Sequence, residues 1–110
     1  MCGIAGAITR EEISNSRILK CISSLNHRGP DYSGFKKVKI SNDWNSLQIH
    51  TRLSIIDLDQ RSNQPMQIGE NYLTFNGEIY NYLELKKRFS EQFNFSTSSD
   101  TEVLGNLLNL

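Results

Sequence analysis

The first eight residues, Met1-Cys2-Gly3-Ile4-Ala5-Gly6-Ala7-Ile8, restrict the fold more than any other stretch of this chain. The residues that follow Cys2 are small, apart from two β-branched isoleucines, and this pattern is typical of a buried strand. Such a strand carries little side-chain bulk. A small molecule could therefore bind beside its beginning without being crowded.

Cys2 gives the same stretch a chemical interpretation. If Met1 is removed, Cys2 becomes the N-terminal residue and carries both a thiol and a free α-amine. An α-amine titrates close to neutral pH, so it can act as the general base for its own thiol. The alternative is that Cys2 is a small buried residue with no chemical role. The position of one cysteine does not separate these two interpretations.

The composition narrows the classes of function. At 110 residues the chain is at most one small domain, and its 12 basic and 12 acidic residues give a formal net charge of zero. This balance argues against nucleic acid or an anionic membrane as the main partner. No apolar run approaches membrane-spanning length, and no basic region precedes the first strand as in a secretory signal.

Cysteine usage adds a prediction about metals and redox compartment. The chain has two cysteines, Cys2 and Cys21, and no Cys/His cluster with zinc spacing. We therefore expect neither a disulfide scaffold nor a metal site. Free thiols of this kind suit a reducing cytoplasm, which is the expected location.

Hydrophobic periodicity predicts a mixture of helices and strands. A helix is predicted over residues 11–26, because Ile18, Leu19, Ile22 and Leu25 recur at helical spacing before Gly29. Capping patterns at residues 81–84 and 99–102 predict two more helices. After the first strand, strands are predicted over residues 35–40, 47–50, 53–58, 72–75 and 93–95, with a polar loop over residues 59–65.

Four polar features allow both a structural and a functional interpretation. Residues 27–31, His-Arg-Gly-Pro-Asp, suit a loop that ends a helix. Arg52 could form a surface salt bridge or bind a carboxylate through two hydrogen bonds. Asn76-Gly77 is a strong signal for a hairpin turn leading into residues 78–80, and its donors could also stabilise an oxyanion. Asp100 could simply complement the dipole of the helix it begins.

Five blocks carry a family resemblance: residues 1–6 (Met-Cys-Gly-Ile-Ala-Gly), 27–31 (His-Arg-Gly-Pro-Asp), 50–58 (His-Thr-Arg-Leu-Ser-Ile-Ile-Asp-Leu), 75–81 (Phe-Asn-Gly-Glu-Ile-Tyr-Asn) and 99–104 (Ser-Asp-Thr-Glu-Val-Leu). Together and in this order they resemble the glutaminase domain of class II glutamine amidotransferases. The third and fourth blocks are most similar to those of the glutamine-hydrolysing asparagine synthetases. The likeness runs from Met1 to about Leu104.

The resemblance implies catalytic roles for three residues. Cys2 would attack the side-chain amide of L-glutamine, forming a glutamyl thioester and releasing ammonia, while its α-amine relays protons. Asn76 and Gly77 would form the oxyanion hole. The resemblance therefore favours the functional interpretation of Cys2 and of Asn76-Gly77 over the structural one.

The resemblance also implies how glutamine would be held. Arg52 would bind the substrate α-carboxylate, while Glu78 and Asp100 would bind its α-amine. A zwitterionic head group needs such a set of one cation and one or two carboxylates. Further substrate-binding positions carried over from the family are Leu53, Ser54, Ile55 and Ile56.

The implied fold is α+β: part of the four-layer αββα sandwich of N-terminal-nucleophile hydrolases, with mostly antiparallel sheets. Residues 1–110 would be the N-terminal part of a glutaminase domain, and we recognise no synthetase domain in the sequence. No cofactor is expected in this chain, since ATP and Mg²⁺ would act in the synthetase domain. A homodimer is one assembly that the resemblance allows. We expect residues 1–110 alone to fold poorly and to show little glutaminase activity.

Three functions stay open at this stage. The leading one is release of ammonia from glutamine for a synthetase domain or subunit, which would make asparagine from aspartate. A stand-alone amidohydrolase of the same nucleophile class, or another class II amidotransferase, is the second. The third is a remnant that binds glutamine or a partner subunit without turnover. The set formed by Arg52, Glu78 and Asp100 argues against the stand-alone amidohydrolase, because it matches a glutamine head group.

Overall fold

A computed structural model describes all 110 residues and shows two antiparallel sheets with three α-helices, so the α+β prediction is confirmed. A short 3-10 turn over Gln60–Ser62 lies between the two sheets in the chain. The strands are β1 (Gly3–Thr9), β2 (Tyr32–Lys39), β3 (Asn45–Arg52), β4 (Met66–Ile68) and β5 (Asn71–Leu73), and the helices are α1 (Asn15–Leu25), α2 (Tyr82–Arg88) and α3 (Asp100–Leu108).

The larger sheet has the order β1-β3-β2, with β3 antiparallel to both neighbours. Gly3 pairs with Thr51 and Tyr32 pairs with Arg52, so the beginnings of β1 and β2 meet the end of β3. Because Cys2 directly precedes β1, this register brings it beside the residues that follow Arg52. The predicted first strand and the predicted hairpin of residues 35–40 and 47–50 are confirmed.

Helix α1 covers one face of this sheet. Its Ile18 is only 1% exposed and packs with Leu47 and Ile49 of β3. The small side chains of Ala5 and Ala7 on β1 let the helix come close to the sheet. Burial of a side chain such as Ile18 contributes about 1.5–3 kcal/mol to stability.

The start of α1 corrects the predicted helix over residues 11–26. The helix begins at Asn15 because Ser14 is extended and its side chain accepts a hydrogen bond from the N–H of Arg17. This N-cap satisfies a donor that would otherwise be free at the helix start. The helix ends at Leu25, before the residues 27–31 that were expected to terminate it.

The opposite face of β3 is polar. Gln48, His50 and Arg52 lie there because side chains alternate along a strand, and the amide of Gln48 donates to the carbonyl of Tyr72 in β5 at 3.0 Å. His50 is fully buried, and neither ring nitrogen is hydrogen-bonded. Burial lowers the pKa of His50 to about 4, although the nearby carbonyl of Phe75 acts against this shift. The ring is therefore neutral at pH 7.

The strand predicted for residues 53–58 is wrong. β3 ends at Arg52, and the following loop wraps around the guanidinium, which donates to the carbonyls of Ile56 and Asp59 at 3.1 Å and also to that of Asp57. The side chain of Asn63 accepts a further bond at 2.7 Å. A buried guanidinium needs several acceptors, and a curved loop turns its carbonyls inwards where a straight strand would not.

Asp57 fixes the shape of this loop. Its backbone is left-handed, with φ of 51°, and its carboxylate accepts hydrogen bonds from the N–H groups of Asp59 and Ser98. Burial alone would raise the pKa of Asp57, but these hydrogen bonds and the nearby hydroxyl of Ser62 outweigh it and lower the pKa well below its ordinary value. The loop is thereby tied to the segment before α3.

The hairpin predicted at Asn76-Gly77 is also wrong, as is the strand expected after it. β5 ends at Leu73, and residues 74–79 form irregular backbone. The hairpin of this region joins β4 to β5 instead, and its turn contains Gly69 with φ of 61°, where glycine is favoured. A turn signal identifies a tight bend but not whether strands pair on both sides of it.

The C-terminal third is helical with loops. Residues 93–95, predicted as a strand, lie in a loop where the rings of Phe93 and Phe95 meet edge to face. The predicted cap at Ser99 is confirmed, because its side chain accepts a hydrogen bond from the N–H of Thr101 at 3.1 Å. Leu108 and Leu110 are mostly exposed. No helix is long enough to cross a membrane, the longest having 11 residues.

Candidate active site

A cavity of about 390 Å³ opens beside the end of β3 and the beginning of α3. A volume of this order suits a small molecule. The cavity collects residues from five separate parts of the chain, which the fold brings together. Nine of the ten residues that the resemblance selected line it: Cys2, Arg52, Leu53, Ile55, Ile56, Asn76, Gly77, Glu78 and Asp100.

The thiol of Cys2 is held at the cavity wall by Leu53. The Sγ atom accepts a hydrogen bond from the N–H of Leu53 at 3.3 Å and lies 3.7 Å from the carbonyl of the same residue. The backbone carbonyl of Cys2 accepts a hydrogen bond from Nε of Arg28 at 3.1 Å. Both the side chain and the backbone of Cys2 are thus oriented by residues distant in sequence.

Residues 27–31 do more than end a helix. The N–H of Asp31 donates to the carbonyl of Arg52 at 3.0 Å, and the carboxylate of Asp31 accepts from the N–H of Ser54 at 2.8 Å. A Cβ atom at Gly29 would lie 2.2 Å from the carbonyl oxygen of Thr51, so only glycine allows this close approach to β3. Ser54 is the one selected residue that does not line the cavity, and its N–H is bonded to Asp31.

The cavity carries charges of both signs. Arg52 is 5% exposed, and four hydrogen bonds use its two terminal nitrogens, while Nε makes none. Asp100 is 6% exposed and one of its oxygens accepts from the N–H of Ile79 at 2.9 Å. Glu78 is exposed at the rim. One cation and two carboxylates on different walls suit a zwitterion.

Asn76 and Gly77 offer donors that the protein itself does not use. Neither the side-chain amide of Asn76 nor the N–H of Gly77 makes a hydrogen bond within the chain, whereas the neighbouring N–H groups of Phe75 and Ile79 do. A Cβ atom at Gly77 would lie 2.6 Å from the ring of Phe75, so glycine lets the ring pack against the backbone here. Free donors facing a cavity can stabilise developing negative charge.

Sequence reasoning missed part of the lining. Phe75 and Tyr80 flank the selected residues 76–78, and Thr101 follows Asp100, so proximity along the chain could have indicated them. Gln64 had no such signal, because it lies in a stretch predicted only as a polar loop. Met1 lines the cavity as well. No group of three or more His, Cys, Asp or Glu side chains is placed to hold a metal ion.

Comparison with known proteins places this geometry in a family context. Residues 1–110 match the model of the glutamine amidotransferase domain. The chain is 38% identical to an asparagine synthetase [glutamine-hydrolyzing] of Brassica oleracea, over 97% of this chain and 18% of that protein. It is 35% identical to asparagine synthetase B [glutamine-hydrolyzing] of Escherichia coli K12, over 94% of this chain and 19% of that protein. The chain therefore spans about a fifth of the length of these relatives.

Proposed function

This chain belongs to the glutamine amidotransferase domain family, and on that premise we propose that its cavity hydrolyses the side-chain amide of L-glutamine through a thioester on Cys2. One observation carries the proposal. A single cavity is lined by a thiol, by two unused hydrogen-bond donors and by charges of both signs. Each of these matches a different part of glutamine.

The first chemical step would form the thioester. With Met1 removed, the α-amine of Cys2 takes the thiol proton, and Sγ attacks the amide carbon of glutamine. The carbonyl oxygen becomes negatively charged, and the Asn76 amide and Gly77 N–H donate to it. The C–N bond then breaks, the protonated α-amine gives its proton to the leaving nitrogen, and ammonia departs.

The second step would restore the thiol. Water attacks the thioester carbon, the α-amine accepts a proton from the water, and the same two donors stabilise the second oxyanion. The C–S bond breaks, glutamate leaves and the proton returns to Sγ. The N–H of Leu53, which donates to Sγ at 3.3 Å, would hold the sulfur in one orientation throughout.

The charged residues would fix the head group of glutamine. The buried guanidinium of Arg52, together with the backbone of the loop it organises, would receive the α-carboxylate through its unused Nε. Glu78 and the free oxygen of Asp100 would receive the α-ammonium. A carboxylate on each side of that ammonium would exclude substrates without an α-amine.

The relatives are named as asparagine synthetases that hydrolyse glutamine. We extend this to the present chain as a proposal: the ammonia would pass to a synthetase domain or subunit that converts aspartate to asparagine with ATP and Mg²⁺. The two sheets described above would then be part of a four-layer αββα sandwich. Membership in the family and the identity to these relatives support the extension.

The test is ammonia release from L-glutamine by the protein purified together with any synthetase domain or subunit that it carries, with the mass of its N-terminus measured in the same sample. We expect release only from molecules that begin at Cys2, and none from a Cys2→Ser variant. A protein that keeps Met1 and still hydrolyses glutamine at the same rate would contradict the α-amine mechanism. Binding of glutamine without any release of ammonia would favour a binding-only function.

A further inference from the structure

Gln64 lies between two walls of the cavity. Its side chain is buried, the residue being 7% exposed, and both ends of its amide are used. The amide oxygen accepts a hydrogen bond from the N–H of Phe75 at 2.6 Å, and the amide nitrogen donates to the hydroxyl of Thr101 at 3.2 Å. One side chain therefore joins the irregular backbone after β5 to the first turn of α3.

A second contact joins the same two parts of the chain. The carboxylate of Asp100 accepts a hydrogen bond from the N–H of Ile79 at 2.9 Å. Residues 75–79, here called the 75–79 segment, are thus attached to α3 near both ends, by Gln64 at Phe75 and by Asp100 at Ile79. The unused donors of Asn76 and Gly77 lie between these two attachments.

We propose that Gln64 is a positioning residue that fixes the 75–79 segment against α3. It thereby sets the distance from the oxyanion donors of Asn76 and Gly77 to the ammonium-binding carboxylate of Asp100. This inference rests on the function proposed above. The substrate glutamine has a fixed number of bonds between its amide and its α-amine. The amide can react while the α-amine is bound only if the distance between the two parts of the site is held.

A glutamine side chain is chemically suited to position 64. The site needs one acceptor, for the N–H of Phe75, and a partner for the hydroxyl of Thr101, and an amide supplies an acceptor and a donor on one rigid plane. Methionine has a similar length but supplies neither. A buried carboxyl group with no cation beside it takes up a proton. Protonated glutamate then supplies a carbonyl acceptor for the N–H of Phe75 and an O–H donor for the hydroxyl of Thr101.

The kinetic test compares Gln64→Met and Gln64→Glu with Gln67→Met. Gln67 is the matched control, because it is exposed and its amide bonds only to the carbonyl of Gly69. We expect Gln64→Met to lower kcat for glutamine hydrolysis by about 10- to 100-fold, since misplacing a reacting group by about 1 Å has effects of this order. KM should change less than kcat, Gln64→Glu should recover most of the loss, and Gln67→Met should match the parent protein.

Amide hydrogen exchange gives a readout that does not depend on turnover. In Gln64→Met we expect faster exchange at Phe75 and its neighbours in the 75–79 segment, with α1 unchanged, and protection restored in Gln64→Glu. Thr101→Val removes only the partner of the Gln64 amide nitrogen and should act in the same direction. If Gln64→Met does not fold, Thr101→Val tests the positioning role of Gln64 in its place.

The outcomes separate this inference from the proposed function. Faster exchange spread evenly over the chain, or an unchanged kcat in Gln64→Met, would overturn the positioning role. Local loss of protection in a protein that releases no ammonia from glutamine even in its parent form would leave the attachment in place and overturn the glutaminase function. A larger effect on KM than on kcat would show that Gln64 acts on binding alone and would contradict the link to the oxyanion donors.

Discussion

The backbone N–H of Leu53 lies 3.3 Å from the Sγ atom of Cys2, although 51 residues separate them in sequence. The contact exists because β1 and β3 pair in the register Gly3 to Thr51, which brings the start of one strand to the end of the other. The sulfur is thereby held beside the loop that Arg52 organises. This contact joins the nucleophile to the head-group site that we propose.

Asn76→Ala should remove one oxyanion donor without disturbing the fold, because the Asn76 side chain bonds to nothing else in the chain. We expect kcat for glutamine hydrolysis to fall by about 10²- to 10³-fold with KM little changed, since the lost bond strengthens only as charge develops. Steady-state ammonia release measures both constants. An effect on KM alone would mean that Asn76 is structural or contacts only the ground state.

Asp100→Asn should separate the effect of the Asp100 charge on substrate binding from the effect of its hydrogen bond on the fold. The amide oxygen of asparagine can still accept from the N–H of Ile79, but the charge that would meet the α-ammonium is gone. We expect KM for glutamine to rise by about 10-fold or more, with little change in melting temperature. Asp43→Asn, in an exposed turn, is the control. A collapse of thermal stability without a change in KM would assign Asp100 to the fold alone.

Arg52→Lys should weaken the fold as well as binding. Lysine keeps the charge but cannot reproduce the planar set of four hydrogen bonds that holds the loop after β3. We expect a loss of about 1.5–3 kcal/mol or more in the free energy of unfolding, because a hydrogen bond made by a charged group contributes on this order, together with a higher KM. Urea denaturation tests this against Arg17→Lys, an exposed control. Equal stability of the two variants would contradict the organising role of Arg52.

His50 should make stability fall in mild acid. Its pKa is lowered from 6.5 to about 4 in the folded protein, so below pH 6.5 the unfolded chain binds a proton that the folded chain does not. Stability is therefore full above about pH 6.5 and declines towards pH 4, by about 3 kcal/mol in total. In His50→Leu this part of the decline should vanish, whereas His27→Gln, at the exposed histidine, serves as the control. An unchanged pH profile in His50→Leu would contradict the shift.

Local pattern predicts the elements that are defined by their own residues and turns. The first strand, the hairpin of β2 with β3 and the helix that Ser99 caps all follow from period and turn chemistry. The sequence predicts a strand over residues 53–58, because its apolar residues have the composition of a strand, but these residues form a loop. What bends it is the guanidinium of Arg52, whose need for acceptors is a tertiary effect that no window of local sequence contains.

The candidate site shows the same difference between residues with a sequence signal and residues whose role depends on tertiary contacts. Cys2, Asn76, Gly77 and Asp100 were selected through family blocks, and the fold brings them to one cavity. Gln64 was not, because a glutamine in a polar loop carries no local signal. Its importance arises only when residues 75 and 101 are placed on either side of it. The sequence alone does not predict contacts of this kind, in which one side chain joins two distant segments.

The most direct test of the account is to treat the protein with a diazoketone analogue of glutamine and to locate the label by peptide mass spectrometry. We predict a covalent adduct on Cys2, prevented by excess L-glutamine and absent from Cys2→Ala, while Cys21→Ala is labelled like the parent protein. Labelling of Cys21 instead, or undiminished ammonia release by Cys2→Ala, would contradict the assignment of Cys2 as the nucleophile.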